Sequence, residues 1–419
     1  MRPFYLFLIN PLFLFLSITA FVFLLRSYGG MDYPQLSYRS ITMIFLSVVG
    51  FSVSYFFSKV IPFGKNGYSL DAVVVNSKVS RMLSFVLAAS LFWFIFATLE
   101  LFSNLDSLSR GITTARFESI GRGVEGSFLG GLKNLTLGFP VVGMLIIIMY
   151  PERVSRHLRM VGVVLFILSI LYGFLAGGRN PAFTSILLCS FAFFMKRSYA
   201  ATSHVKMRLV YKFFLIMLIF TVFYHFVMIF FERAELRGRG AAEDIENIVS
   251  GFALGGWVVE VEEPSEILQI YTMLVFYATH AINEMDVVIN NGFGPYGGSY
   301  SLYLPFIFLN KLGFEFMSIN DVVADLDKQG VYLGLLGSLY LDFGAYSLGF
   351  YAFFGFMAGL LERKVRKSLS PVASLFFVWI LGLITLSYFY PIFSVGNGFS
   401  ILIAIFAVGI YGKFRVGRG

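Results

Sequence analysis

Long apolar stretches separated by short polar connections set the pattern of this 419-residue chain. A helix rises 1.5 Å per residue, so about 20 apolar residues cross the roughly 30 Å hydrocarbon core of a bilayer. Ten stretches approach or meet that length: residues 4–25, 40–58, 82–99, 133–150, 158–176, 181–195, 211–231, 345–361, 371–390 and 396–412. The first is longer than the core of a signal peptide and no small-residue cleavage site follows it, so it reads as a retained helix. Residues 329–341 reach only about 20 Å at helical rise and read as a half-helix or surface helix.

The pattern predicts an all-α polytopic membrane protein of about 10 to 12 transmembrane helices with a large external loop. Three parts follow: a bundle of seven spans over 1–231, a loop over 232–344, and a bundle of three spans over 345–419. At 113 residues the loop is too long to lack helices of its own. The stretch "ILQIYTMLVFYATHAINEMDVV" within it reads as an amphipathic helix lying along the membrane–water interface.

Composition agrees with this solvent: 58% of residues are hydrophobic and 13% are charged. The single cysteine, Cys189, excludes a disulfide framework or a thiolate metal site within the chain. Lys and Arg resist translocation and collect on the cytoplasmic side. With both termini inside, 20 of 32 basic residues fall in cytoplasmic connections and 21 of 24 acids fall outside. The net charge of +8 is then a signature of topology, and no nucleic-acid partner is expected.

Arg179 departs from that rule. It stands in "FLAGGRNPAF", between the fifth and sixth spans, on the side that positive charge avoids. Gly177, Gly178 and Pro181 are ordinary helix punctuation. A guanidinium held beside a helix N-terminus, however, suits a phosphate or diphosphate; the alternative is an interfacial anchor or an ion pair. Arg233, Arg237 and Arg239 follow the seventh span and form either an anion-binding face or a solvated helix extension. Arg26 and Arg39 flank spans and read as simple anchors.

His280 and Glu284 lie four apart, so a helix would hold imidazole and carboxylate together as base and orienting partner; a satisfied polar pair is the alternative. His225, inside the seventh span, reads as a helix–helix hydrogen bonder. Gly292, Gly294 and Gly297 match G-x-G-x-x-G, but no strand precedes them. Asp342 to Gly344 spell "DFG" without any other kinase element. Asp325 and Asp327 read as helix-capping acids.

In "GGRNP" (177–181), the single large external loop and "QGVYLGLLGSLYLDFGAYSLGF" (329–350), the chain resembles the Wzy-type O-antigen polymerases, oligosaccharide repeat-unit polymerases of bacterial inner membranes. The likeness covers roughly residues 130–365, and O-antigen ligases share the general plan. The resemblance implies a GT-C-like lipid-carrier glycosyltransferase architecture and a substrate of undecaprenyl-diphosphate-linked oligosaccharide. It further implies membrane lipid and a chain-length regulator protein as partners, the periplasmic face of the inner membrane as the place of reaction, and no metal or cofactor. Arg179 matches the arginine that contacts the lipid diphosphate, and one of Arg233, Arg237 and Arg239 would be a second.

Such a donor carries its own leaving group, so the reaction needs cations for the departing diphosphate and a base for the attacking sugar hydroxyl. His280, Glu284 or Asp342 would supply the base, and Tyr296, Tyr300, Tyr303 and Tyr332 would offer aromatic faces and hydroxyls to sugars. The competing readings are a ligase transferring glycan to lipid A core, and a flippase or exporter of lipid-linked glycans.

Overall fold

The computed structural model describes residues 6, 8–61, 72–103, 128–175, 180–199, 253–254, 266–311, 313–326, 333–368, 370–393 and 397–414. Their helices, in chain order, are α1 (Pro11–Tyr28), α2 (Tyr38–Val60), α3 (Ala72–Ser103), α4 (Phe128–Thr136), α5 (Gly138–Met149), α6 (Arg156–Leu175), α7 (Asn180–Tyr199), α8 (Glu266–Asn291), α9 (Tyr303–Lys311), α10 (Ile319–Asp325), α11 (Gly334–Phe343), α12 (Ser347–Ser368), α13 (Pro371–Leu386) and α14 (Asn397–Phe414). Among the described residues, strand structure is limited to β1 (Met31–Asp32) and β2 (Ala253–Leu254), a two-residue antiparallel pair that ties the α1–α2 connection to the long loop.

Among the described residues, six helices are long and apolar enough to cross a membrane: Pro11–Tyr28, Tyr38–Val60, Lys78–Phe102, Gly131–Met149, Arg156–Leu175 and Gly334–Lys367. α13 and α14 are shorter apolar helices. The bundle also wears apolar side chains outward. Met160, Val164, Ile167 and Leu171 form an exposed stripe along α6, and Phe92, Ile95, Leu99 and Phe102 form another along α3. Water disfavours such stripes and lipid tails accept them. The chain is a multi-pass helical membrane protein.

The spans differ from expectation in detail. The first span is broken at Asn10–Pro11: Leu6 and Leu8 are helical, and a new helix starts at Pro11, because proline lacks an amide and restricts the residue before it. Asn10 caps the new end by accepting from Phe13 N at 3.0 Å. The fourth span divides into α4 and α5 around Leu137, where Pro140 removes the amide that a continuous helix would aim at Thr136. At that break Gly138 meets α14 so closely that a Cβ there would lie 2.2 Å from the Ser400 carbonyl. The seventh expected span, 211–231, lies outside the described residues.

The tightest helix pair is α2 with α12, and glycine makes it. A Cβ on Gly355 would lie 2.1 Å from the Phe51 carbonyl oxygen, and one on Gly359 would lie 2.0 Å from Ser58 Oγ. This pair ends in a buried ionic knot. Glu362 accepts from the Tyr55 hydroxyl at 2.5 Å, Lys59 at 2.6 Å and Arg366 at 2.5 Å. Arg363 donates to the carbonyls of Lys59 and Ile61.

α8 corrects the expectation of an interfacial helix. Residues 278–285, more than two full turns, are all buried, so the helix presents no face to water there. It packs against α1, α2 and α11. α11 lies parallel to it: Gly334 faces Ala281, Gly337 faces Met285, and Leu341 shares an apolar cluster with Val288. Residues 329–341 therefore contribute a buried helix, Gly334–Phe343, and not a surface one.

Candidate functional site

Connections place the ends of α1, α3, α6 and α13 at one end of the bundle, together with the starts of α2, α4, α7 and α14. There Asn397 donates to the Pro181 carbonyl at 2.8 Å, and Leu335 N donates to the Ser387 carbonyl at 2.6 Å. Lys133, at the start of the fourth span, is buried against Glu100 and donates to the Tyr172 hydroxyl at 2.6 Å; the Tyr172 hydroxyl in turn reaches Glu100.

Among the described residues, a polar cluster of this end is built on α8. Thr279, Asn283, Asp286 and Asn290 recur at intervals of four, three and four, which lines them along one helical face. Opposite stands the turn between α1 and α2. Arg26, in the last turn of α1, donates through Nε and Nη2 to Asn283 Oδ1 at 3.1 and 2.9 Å, and through Nη2 to the Pro34 carbonyl at 2.5 Å. Tyr33 meets Thr279 Oγ1 at 2.5 Å under the Arg26 guanidinium, which lies 5.4 Å from the ring centroid. Asp286 accepts from the amide and hydroxyl of Ser37 at 3.0 and 2.6 Å, placing a carboxylate at the N-terminus of α2 where the helix dipole favours it.

The electrostatics follow from burial. Desolvation pushes the Tyr33 phenol up to about 12, against the opposing pull of Thr279 and Arg26; Glu284 reinforces the rise. Glu284 and the Arg26 guanidinium thus both act on one phenol. The Nδ2 of Asn283 is buried without a hydrogen-bond partner among the described residues.

His280 is buried on the neighbouring face of α8. Its Nδ1 donates to the Phe276 carbonyl at 2.9 Å, and its ring stacks on Phe276 at 4.7 Å between centroids. Burial pushes the imidazole down to about 4. Its Nδ1 is therefore given to the backbone of the preceding turn and not to Glu284, the partner that spacing suggested.

Asp342 has a different setting. The strand-less glycine segment folds back on α11: Gly294, with φ of 87°, passes so close that a Cβ would meet the Leu341 carbonyl at 2.2 Å. Tyr296 N donates to that carbonyl at 3.1 Å and Gly297 N to the Asp342 carbonyl at 2.9 Å. The carboxylate itself accepts from Tyr300 N at 3.0 Å and Ser301 N at 2.6 Å. Asp342 is the peg on which this loop hangs. By the parallel packing it lies beyond Leu341, whose neighbour on α8 is Val288.

Tyr300 is buried among Val288, Val322, Leu333 and Leu341, whereas Tyr296 is half-buried and donates to Asp325 Oδ2 at 3.2 Å. Asp325 is the last residue of α10, whose N-terminal capping box is formed by Ser318 and Asp321. Arg179, Arg233, Arg237, Arg239, Tyr332, Asp327 and His225 lie outside the described residues. No group of three or more His, Cys, Asp or Glu able to hold a metal occurs among the described residues.

Sequence reasoning dismissed Arg26 as an anchor and passed over Asn283 and Asp286. A signal existed: a polar stripe at helical spacing within an apolar run needs a partner, and a basic residue at the end of the first span offered one. In comparisons with known proteins the chain matches no family model, no curated protein and no solved structure.

Proposed function

We propose that this protein is a glycosyltransferase that joins oligosaccharide repeat units carried on a polyprenyl diphosphate such as undecaprenyl diphosphate, building an O-antigen, capsule or exopolysaccharide chain. It works at the non-cytoplasmic face of a bacterial inner membrane, with both termini in the cytoplasm. The observation that carries this reading is the buried carboxylate of Glu284 beside the Arg26–Asn283–Tyr33 cluster, at the bundle end that also bears the start of α7 next to Arg179. Burial of acid, amide and phenol within a membrane bundle is costly and marks sites that handle polar substrate.

In the reaction the hydroxyl oxygen of the acceptor sugar attacks C1 of the donor sugar. The bond from C1 to the diphosphate oxygen breaks, and the diphosphate leaves with the electron pair. Glu284 takes the hydroxyl proton, and Arg179, with one of Arg233, Arg237 and Arg239, bears the charge gathering on the diphosphate. Tyr296 and Tyr332 offer rings to the glycan. No metal or cofactor enters the scheme.

Purified protein in lipid nanodiscs, incubated with a lipid-linked repeat unit, should yield a ladder rising by one repeat per rung. Transfer only when lipid A core is added would assign it as a ligase. Movement of intact lipid-linked glycan across vesicles without a new glycosidic bond would assign it as an exporter and overturn the proposal.

A further inference from the structure

We propose that the side-chain amide of Asn283 is a saccharide-binding donor, directed at a hydroxyl or acyl oxygen of the glycan; this deepens the glycosyltransferase reading and rests on it. The orientation of an asparagine amide is usually ambiguous, because oxygen and nitrogen look alike. Here Arg26 removes the ambiguity. A guanidinium only donates, so the atom receiving its two bonds at 3.1 and 2.9 Å must be the oxygen. Nδ2 then points elsewhere, and it is buried with no partner among the described residues.

Purely structural roles account poorly for this arrangement. Holding Arg26 needs only the acceptor oxygen, which a carboxylate would provide with greater strength. The residue instead carries an NH2 group in a place where an unfilled donor is costly. A donor fixed in advance by an arginine, and left without a partner, is preorganised for an acceptor that arrives.

The surroundings select the kind of acceptor. Glu284 and Asp286 lie on the same stretch of α8, and Arg26 is already engaged with Asn283 and Pro34. That field disfavours a phosphate and suits a neutral polyol, whose oxygens accept from the amide while its hydroxyls donate to nearby acceptors. The sugar, not the lipid diphosphate, is the part of the substrate that Asn283 recognises.

The test is Asn283→Asp, which keeps an acceptor for Arg26 and removes the donor while adding a negative charge, with Asn283→Ser as the uncharged second variant. Binding would be measured for undecaprenyl diphosphate and for undecaprenyl diphosphate bearing a single N-acetylglucosamine, alongside thermal unfolding in detergent. The expected result is unchanged binding of the bare lipid diphosphate, roughly 10- to 100-fold weaker binding of the sugar-bearing one, and unfolding like that of the wild type. Equal binding of the sugar-bearing lipid by wild type and variants would overturn the donor role while leaving the glycosyltransferase reading intact. Equal weakening of both ligands would move the contact to the diphosphate and overturn it as well. Unfolding of both variants would make the residue structural. Should wild-type protein bind neither lipid, the functional reading fails and this inference falls with it.

Discussion

Arg26 and Asn283, 257 residues apart in sequence, are joined by two hydrogen bonds from one guanidinium to one amide oxygen. The contact ties the end of the first helix to the middle of α8, and with the Ser37–Asp286 bonds it draws the long loop segment into the bundle.

Arg26→Ala leaves the Asn283 oxygen and the Pro34 carbonyl without their donor. Stability is expected to fall by about 1–3 kcal/mol, the usual cost of orphaning buried polar groups. A lowered unfolding temperature in detergent reports it, and Arg26→Lys, which cannot fork to both partners, should fall between the two.

Glu284→Gln preserves shape and removes the proton acceptor. Polymer formation should drop by roughly 10²- to 10⁴-fold, the range of a lost general base, with the protein still folded and inserted. Arg179→Ala should likewise abolish long polymer; normal chain-length ladders from a well-expressed variant would contradict its diphosphate role.

His280 makes stability depend on pH in a defined direction. Its imidazole sits near about 4 in the folded protein against 6.5 when unperturbed, so the unfolded chain binds the proton more readily. Its contribution is full above pH 6.5 and is lost as the pH falls toward 4. Unfolding temperatures measured across that window should decline less steeply for His280→Phe than for the wild type.

Gly355→Leu would force a side chain into the Phe51 backbone and separate α2 from α12, with little folded protein recovered from membranes. Gly349→Ala is the control on the same helix. Nothing lies within 4 Å of a Cβ there, so its yield should match the wild type.

Much of this architecture could be read along the chain. Apolar runs gave the positions of α2, α6, α13 and α14 to within a few residues, and the start of α12, because crossing a bilayer demands length and apolarity and little else. The break at Asn10–Pro11 was also open to reading, since proline's constraint is local, and so was the G-x-x-x-G of Gly355 and Gly359 within an apolar span. α8 resisted reading. Its mix of apolar and polar residues looks the same whether water or other helices satisfy the polar ones.

What the sequence by itself determined was the solvent and the helices: a chain of this apolarity must satisfy its backbone internally, and helices do so residue by residue. Tertiary structure alone decided which polar side chains meet. It turned Arg26 from an anchor into the clamp of Asn283, gave Nδ1 of His280 to Phe276, and made Asp342 the peg of the glycine loop. These pairings join residues up to 257 positions apart, or choose among several partners within reach. Hydrogen bonding acts over about 3 Å, so only the packed arrangement of the helices fixes the outcome.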